Sequence, residues 1–286
     1  MAIIDSQIHA YEANTPQRPW KSMSASPESA TGDEHVAAMD KLGVDGAIFV
    51  SAFSMYQYDS SYAVEVQKKH PGRFGIVKPV DPEDPKVEEV IADWKRTPGT
   101  VGIRIRLHKE KGLQHDDPGL DRIARAAVKY DFPVNFLCWG NIDMGTKVID
   151  RHPDTRFVLD HLGILQPRTP AARQAATEPW ADLPKVIDLA KRKNVVIKVS
   201  GACTLSKEAY PFNDIWDPLA KIFDAWGMDR CLWGTDWTRA FPVVNYENAV
   251  RPFLETNRLS KRDWAMLMGG ACEKAYRWAP GKKLVP

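Results

Sequence analysis

Cys231-Leu-Trp-Gly-Thr-Asp-Trp-Thr-Arg239 reads as a buried strand that ends abruptly and turns. Cys231, Leu232 and Trp233 form an apolar run, Gly234 lets the backbone bend, and Asp236 follows between Trp233 and Trp237. A carboxylate among large apolar side chains is driven towards its neutral form unless a metal, a histidine or an arginine lies close. Either such a partner arrives from elsewhere in the chain, or Asp236 caps the next helix and satisfies loop amides.

Seven other segments also read as strands: residues 2–10, 44–52, 74–80, 101–107, 133–139, 157–162 and 195–201. Helices separate them. Val87, Val90, Ile91 and Trp94 fall on one helical face, as do Leu120, Ile123, Ala124, Ala127 and Val128. Gly43 closes the first helix, as helix-ending glycines do. His70-Pro71 and His152-Pro153 each follow a helix, and both histidines read as helix-end residues near the negative dipole terminus.

Strands joined by crossover helices imply a parallel sheet. Eight such units closing on themselves give a (β/α)8 TIM barrel, which 286 residues suit. A doubly wound open sheet would call for a glycine-rich phosphate turn after the first strand, and the sequence has none there. We therefore expect one barrel domain over residues 1–286. Residues 11–32, polar and dotted with prolines around Trp20, read as a lid loop. Residues 260–286 read as a C-terminal helical extension whose aromatics fit either a subunit contact or a plug over the barrel.

With 44% hydrophobic and 27% charged residues and a formal charge of +2, the chain lacks the basic footprint of a nucleic-acid binder. Its four cysteines lie far apart and form no Cys-x-x-Cys pair, which predicts reduced, buried thiols. No apolar run approaches a bilayer span, and the first residues do not resemble a signal peptide. A cytoplasmic protein with no membrane partner is the expectation, and a homo-oligomer is compatible with it.

In a barrel of this kind, catalytic groups gather at the carboxyl ends of the strands. Those ends carry Gln7 and His9, Lys78, Arg104 and Arg106, Asn135, His161, Lys198 and Ser200, and Asp236. Asp5, Gln7 and His9 alternate and should share a face. Singly, each has a structural explanation: a lysine such as Lys78 or Lys198 pairing with a carboxylate, Ser200 serving a turn. A uniformly polar mouth is costly to leave unpaired.

Three pieces, Asp5-Ser-Gln-Ile-His9, Leu159-Asp-His-Leu-Gly163 and Trp233-Gly-Thr-Asp-Trp237, resemble in order and position the signatures of the amidohydrolase-2 branch of metal-dependent hydrolases. The resemblance spans nearly the whole chain. It implies a barrel, hydrolytic chemistry of the kind seen in lactonases of sugar acids and pyrones, and a site at His9, His161 and Asp236. One departure matters. The family's first strand usually ends His-x-His, and here Gln7 takes the first position. An amide oxygen is a weak zinc ligand, so the resemblance leaves two cases. A zinc or manganese ion is held by His9, His161 and Asp236, or no metal is bound.

With a metal, the ion would acidify its water and polarise a carbonyl. Without one, Asp236 would act as general base on free water while His161 and His9 stabilise the oxyanion. Arg104 and Arg106 are candidates to grip a substrate carboxylate, provided that their face points inward. Gln7, Lys78 and Asn135 are further substrate contacts, and Trp20, Tyr56 and Trp139 are walls for a flat ring. The expected substrate is a small anionic lactone. The alternatives are a metal-dependent decarboxylase, a cyclic-amide hydrolase, and a catalytically silent barrel that only binds a ligand.

Overall fold

The structure, a computed structural model, describes residues 1–22, 27–107 and 113–281. Residues 23–26 of the expected lid and 282–286 of the C-terminal extension lie outside the described residues. Strands and helices alternate as β1 (Ile4–Ile8), α1 (Gly32–Leu42), β2 (Gly46–Val50), α2 (Phe53–Tyr56), α3 (Ser61–Lys69), β3 (Phe74–Pro79), α4 (Val87–Arg96), β4 (Thr100–Arg106), α5 (Pro118–Lys129), β5 (Val134–Leu137), α6 (Ile142–Arg151) and β6 (Phe157–Leu159). There follow α7 (Pro170–Ala175), α8 (Leu183–Leu189), β7 (Val195–Ser200), α9 (Trp216–Trp226), β8 (Cys231–Gly234), α10 (Trp237–Ala240), α11 (Tyr246–Leu254), α12 (Lys261–Ala265) and α13 (Ala271–Tyr276).

The strands are parallel and lie in the order β1 to β8. The edges meet where Asp236 N–H donates to Gln7 O at 2.9 Å, bringing the sheet close to closure as a TIM barrel. Gly234 permits that approach. A Cβ there would lie 2.8 Å from Ser6 Oγ and 3.0 Å from Gln7 N.

Alternation along the strands divides the core in two. Ile4, Ile48, Val50, Val77, Val158 and Leu232 form an inner cluster with Cys272 and Tyr276 of α13. Phe49, Ile76, Ile103, Ile105, Phe136 and Phe157 belong to a larger cluster shared with the helices. The C-terminal segment plugs the amino-terminal mouth: Trp278 abuts Gly46 and Gly75, and Gly281 N–H donates to Gly72 O at 2.9 Å. The opposite mouth opens onto a cavity.

The register shifts between β3 and β4 at Ile76/Val77, and again on β1, where it moves a site-facing residue. The register with β2 shifts between Asp5 and Ile8. Asp5 consequently leaves the face of Gln7 and His9, and accepts from Thr235 N (2.8 Å) and Thr235 Oγ1 (2.5 Å) instead. The expected shared face holds only for Gln7 and His9. His70 and His152 both stand at helix C-termini, paired with Asp33 and Asp121. Among the described residues, no helix is long and apolar enough to cross a membrane.

Candidate active site

Asp236 adopts a left-handed backbone (φ 50°, ψ 31°) after β8, a conformation that aspartate tolerates better than most residues. Its side chain makes no capping bond to α10, which removes the helix-cap alternative. The carboxylate instead gathers partners from distant parts of the chain. His9 Nε2 lies 3.4 Å from Oδ1, His161 Nδ1 lies 3.4 Å from Oδ2, and Arg239 Nε donates to Oδ2. Burial alone would raise its pKa, but His161, Arg239 and His9 hold it well below the usual carboxylate range. Oδ1 is buried without a hydrogen-bond partner.

His161 is delivered by a tight turn at the end of β6, with φ of 53° at His161 and 62° at Leu162. Both values lie in the left-handed region, which side-chain-bearing residues enter at a cost. A guanidinium can only donate, so Arg104 Nη2, 3.5 Å from His161 Nε2, assigns the ring proton to Nδ1. Nδ1 faces Ser200 Oγ at 3.0 Å as well as Asp236. Burial pushes His161 down to about 3, so its imidazole is neutral. Ser200, which read as a turn residue, therefore orients the ring.

His9 is fixed by a chain of donors. Lys198 Nζ donates to Gln7 Oε1 at 2.6 Å, which directs the Gln7 amide nitrogen to His9 Nε2 at 3.1 Å. His9 Nδ1–H then donates to Val50 O at 2.7 Å. Lys198 also stands 3.2 Å from Asp160 Oδ1, and Arg104 Nε donates to Asp160 Oδ2 at 2.8 Å. Burial works against Asp160 ionising, yet Lys198 and Arg104 bring it down to about 2.

A cavity of ≈ 330 Å³ opens beside these groups at the carboxyl-terminal mouth. Arg104, Arg106, Arg168 and Arg239 reach its wall, together with His9 and His161. Ile103 and Ile105 face the helix layer, so the two β4 arginines point inward. Arg106 lies 3.8 Å from the Phe53 ring centroid, and Arg168 lies 5.3 Å from that of Trp139. Among the described residues, neither has a carboxylate within ion-pair reach. Burial, Arg104 and Arg168 bring Arg106 down to about 10, while burial and Arg239 lower Arg168. Trp139 stands against His161 with ring centroids 5.1 Å apart, and Met55 also lines the cavity.

Other expected contacts lie elsewhere. Lys78 points to the helix layer, over Trp94 of α4, and donates to Tyr58 O at 2.5 Å. Asn135 is buried within the barrel, accepting from Tyr276 Oη at 2.7 Å. Gln7 is fully buried between Lys198 and His9 and is not among the residues that line the cavity. Tyr56 Oη accepts from Glu12 N–H, and Trp20 sits edge-on to Tyr11 with its indole N–H on Glu12 O. Both secure the loop after β1, and Tyr11 supplies the cavity wall in their place. Asp236 itself is fully buried and lies behind His9, His161 and Arg239. Arg239 was legible as an i, i+3 partner of Asp236 across one helical turn. Arg168, in an irregular proline-flanked stretch, had no periodic signal at all.

The donor atoms bear on a metal. Gln7 Oε1 is taken by Lys198, His9 Nε2 accepts from Gln7, and Arg239 occupies Asp236 Oδ2. His161 presents one nitrogen to Arg104 and the other to Ser200 and Asp236. Among the described residues, no group of three His, Cys, Asp or Glu side chains is arranged to hold an ion. The expected zinc or manganese set of His9, His161 and Asp236 does not fit as it stands, because the Arg239 guanidinium already holds its one carboxylate and both histidines have their nitrogens engaged.

Comparison with known proteins agrees with this architecture. Over 236 residues the chain is 23% identical to a 4-sulfomuconolactone hydrolase of Hydrogenophaga intermedia, covering 82% of this chain and 73% of that one. It is 27% identical to an L-fucono-1,5-lactonase of Burkholderia ambifaria over 202 residues, 69% of this chain and 66% of the other. An amidohydrolase of Burkholderia multivorans, solved with bound zinc, superposes with a TM-score of 0.81 at 21% identity, covering 97% of this chain and all of its own (100%). Residues 4–278 match the Amidohydrolase model of the amidohydrolase-2 type, and the chain belongs to that family.

Proposed function

We propose that the protein hydrolyses a small lactone bearing anionic groups, through attack of water on the ring carbonyl. One observation carries this reading: a guanidinium-walled cavity adjoins His9, whose Nε2 lies 3.4 Å from Asp236 Oδ1, a buried carboxylate oxygen with no hydrogen-bond partner, so that a proton reaching Nε2 would take the place of the Gln7 hydrogen bond. A proton drawn from water goes to that pair. Because Asp236 is buried behind His9, the base is the pair and not the carboxylate alone. The water oxygen bonds to the carbonyl carbon, and the resulting alkoxide accepts hydrogen bonds from Arg104 or Arg239. Collapse breaks the ring C–O bond, and the leaving oxygen takes the proton back, giving a hydroxy acid.

The histidines do not serve as oxyanion donors in this scheme, since each turns its N–H to a protein acceptor. Arg106 and Arg168, without acidic partners among the described residues, supply the attraction for the anionic groups. The lactone-hydrolysing relatives support the substrate class, and one of them acts on a sulfonated lactone. An amide would demand a poorer leaving group. Chelation of a carboxylate and hydroxyl for decarboxylation would need an ion, which the donor set does not suit. A barrel that only binds ligands has no evident use for left-handed backbone at His161, Leu162 and Asp236.

A panel of carboxylated and sulfonated lactones, cyclic amides and hydroxybenzoates, assayed with and without chelator, tests the reading. Turnover of lactones alone, insensitive to chelator, is the expected result. Decarboxylation of a hydroxybenzoate, abolished by chelator, would overturn it.

A further inference from the structure

His9, His161 and Asp236 come from three distant parts of the chain and stand together at one end of the barrel, a residue set that ordinarily draws zinc. Around them lies an unusual amount of fixed positive charge. Lys198 is fully buried, yet its ammonium is received by Gln7 Oε1 at 2.6 Å and Asp160 Oδ1 at 3.2 Å, with the Tyr276 ring 5.7 Å away. Arg104 holds the other oxygen of Asp160, and Arg239 holds Asp236. Burying a lysine this deeply is expensive unless its partners are built for it.

We propose that Lys198 and Gln7 together replace a divalent ion: the ammonium supplies the positive charge, and the amide it orients donates to His9 Nε2 and holds the ring in place. A metal would perform both tasks through one atom. Here they are divided between two side chains from β1 and β7, joined by a hydrogen bond. Gln7 is thus a positioning residue that acts on the cavity through His9. Lys198 stands guard as well as substitute, because any ion gathered by the β1 side chains would meet an ammonium one hydrogen bond away. Supplying a ligand at position 7 is therefore not sufficient to create a metal site; the charge at position 198 must also go.

This inference shares the metal-free part of the proposed function, but its test reads zinc on the protein without substrate, so an error in the substrate class leaves it intact. Chelator-stripped parent, Gln7→His and the double variant Gln7→His/Lys198→Met are titrated with zinc chloride by calorimetry, and the metal retained after gel filtration is counted. Parent and single variant should retain no stoichiometric zinc. The double variant should bind one ion per chain, roughly 100-fold more tightly than the single one, as removal of a unit charge at such close range implies. Should Lys198→Met fail to fold, Lys198→Gln keeps donors for Asp160 while removing the charge, and serves in its place. Tight stoichiometric zinc in the parent, or equal affinity in the single and double variants, overturns the proposal.

Discussion

His9 Nε2 and Asp236 Oδ1 face one another across 3.4 Å. His9 spends its N–H on Val50 O, and Asp236 is held ionised by its neighbours. His9 Nε2 accepts from the Gln7 amide, and a proton arriving there would displace that bond and face Asp236 Oδ1. In the proposed mechanism this pair receives a proton from the cavity and holds it briefly.

Asp236→Asn keeps the shape and the tolerance for left-handed backbone, but the amide cannot hold that proton. We expect kcat/KM on a lactone substrate to fall by about 1,000-fold or more, within the range typical of lost acid–base groups, while the circular dichroism spectrum is unchanged. Parental rates in this variant would remove Asp236 from the mechanism.

Gly234→Ala should destabilise the barrel at its closure. The added methyl would meet Gln7 N and Ser6 Oγ, and the first of these is backbone that cannot rotate away. Overpacking of this kind costs about 1–3 kcal/mol. A clear drop in melting temperature is expected, and activity should fall with it because the same closure sets the position of Gln7 and Asp236. An unchanged melting curve would mean that the closure is softer than it looks.

The fold was legible because every strand-and-helix unit repeats one physical pattern, and the repetition survives uncertainty in any single element. Arg104 and Arg106 were legible for a related reason: alternation put them on one face, and the apolar Ile103 and Ile105 claimed the other. Depth was not legible. Nothing in the spacing of Trp233, Asp236 and Trp237 says that the carboxylate lies behind two imidazoles instead of in the open. Gln7 read as a weakened ligand because a sequence displays what a residue is, not which donor occupies it. The lysine that occupies it is 191 positions away. The bulge that turned Asp5 aside also has no signature in an alternating strand, since it depends on the pairing with β2.

Acid should destabilise the protein through His35, against an opposite contribution from Asp5, whose carboxyl is pushed up by burial to about 7. His35 is fully buried, donates from Nε2 to His9 O and accepts at Nδ1 from Trp237 Nε1–H, an arrangement that requires the neutral ring. Burial holds it down at about 4, against 6.5 when exposed. A group whose folded pKa is depressed stabilises the fold above the unfolded value and loses that contribution as pH falls through the folded one. The window therefore runs from pH 6.5 down to about 4 and spans about 3 kcal/mol. In His35→Gln, the slope of melting temperature against pH across this window should flatten. An identical slope would place the acid sensitivity elsewhere.

Arg106 separates binding from stability. Its guanidinium is largely buried over Phe53 with no carboxylate partner among the described residues, so the folded protein bears an uncompensated charge whose use is to meet an anion. Replacing it by methionine, which matches its length and keeps contact with Phe53, removes that burden. We expect Arg106→Met to melt at a higher temperature, by about 1 kcal/mol of stability, and to show KM for an anionic lactone raised roughly 10- to 100-fold with a smaller change in kcat. Arg104→Met should behave in the opposite way. It strips Asp160 of one of its two cations and leaves a buried carboxylate short of charge, so the melting temperature should fall. Measured side by side, the two variants ask whether these inward arginines divide the work, one holding the site together and the other holding the substrate. A loss of stability in both, with KM unchanged in the Arg106 variant, would assign both to the scaffold and leave Arg168 as the remaining anchor.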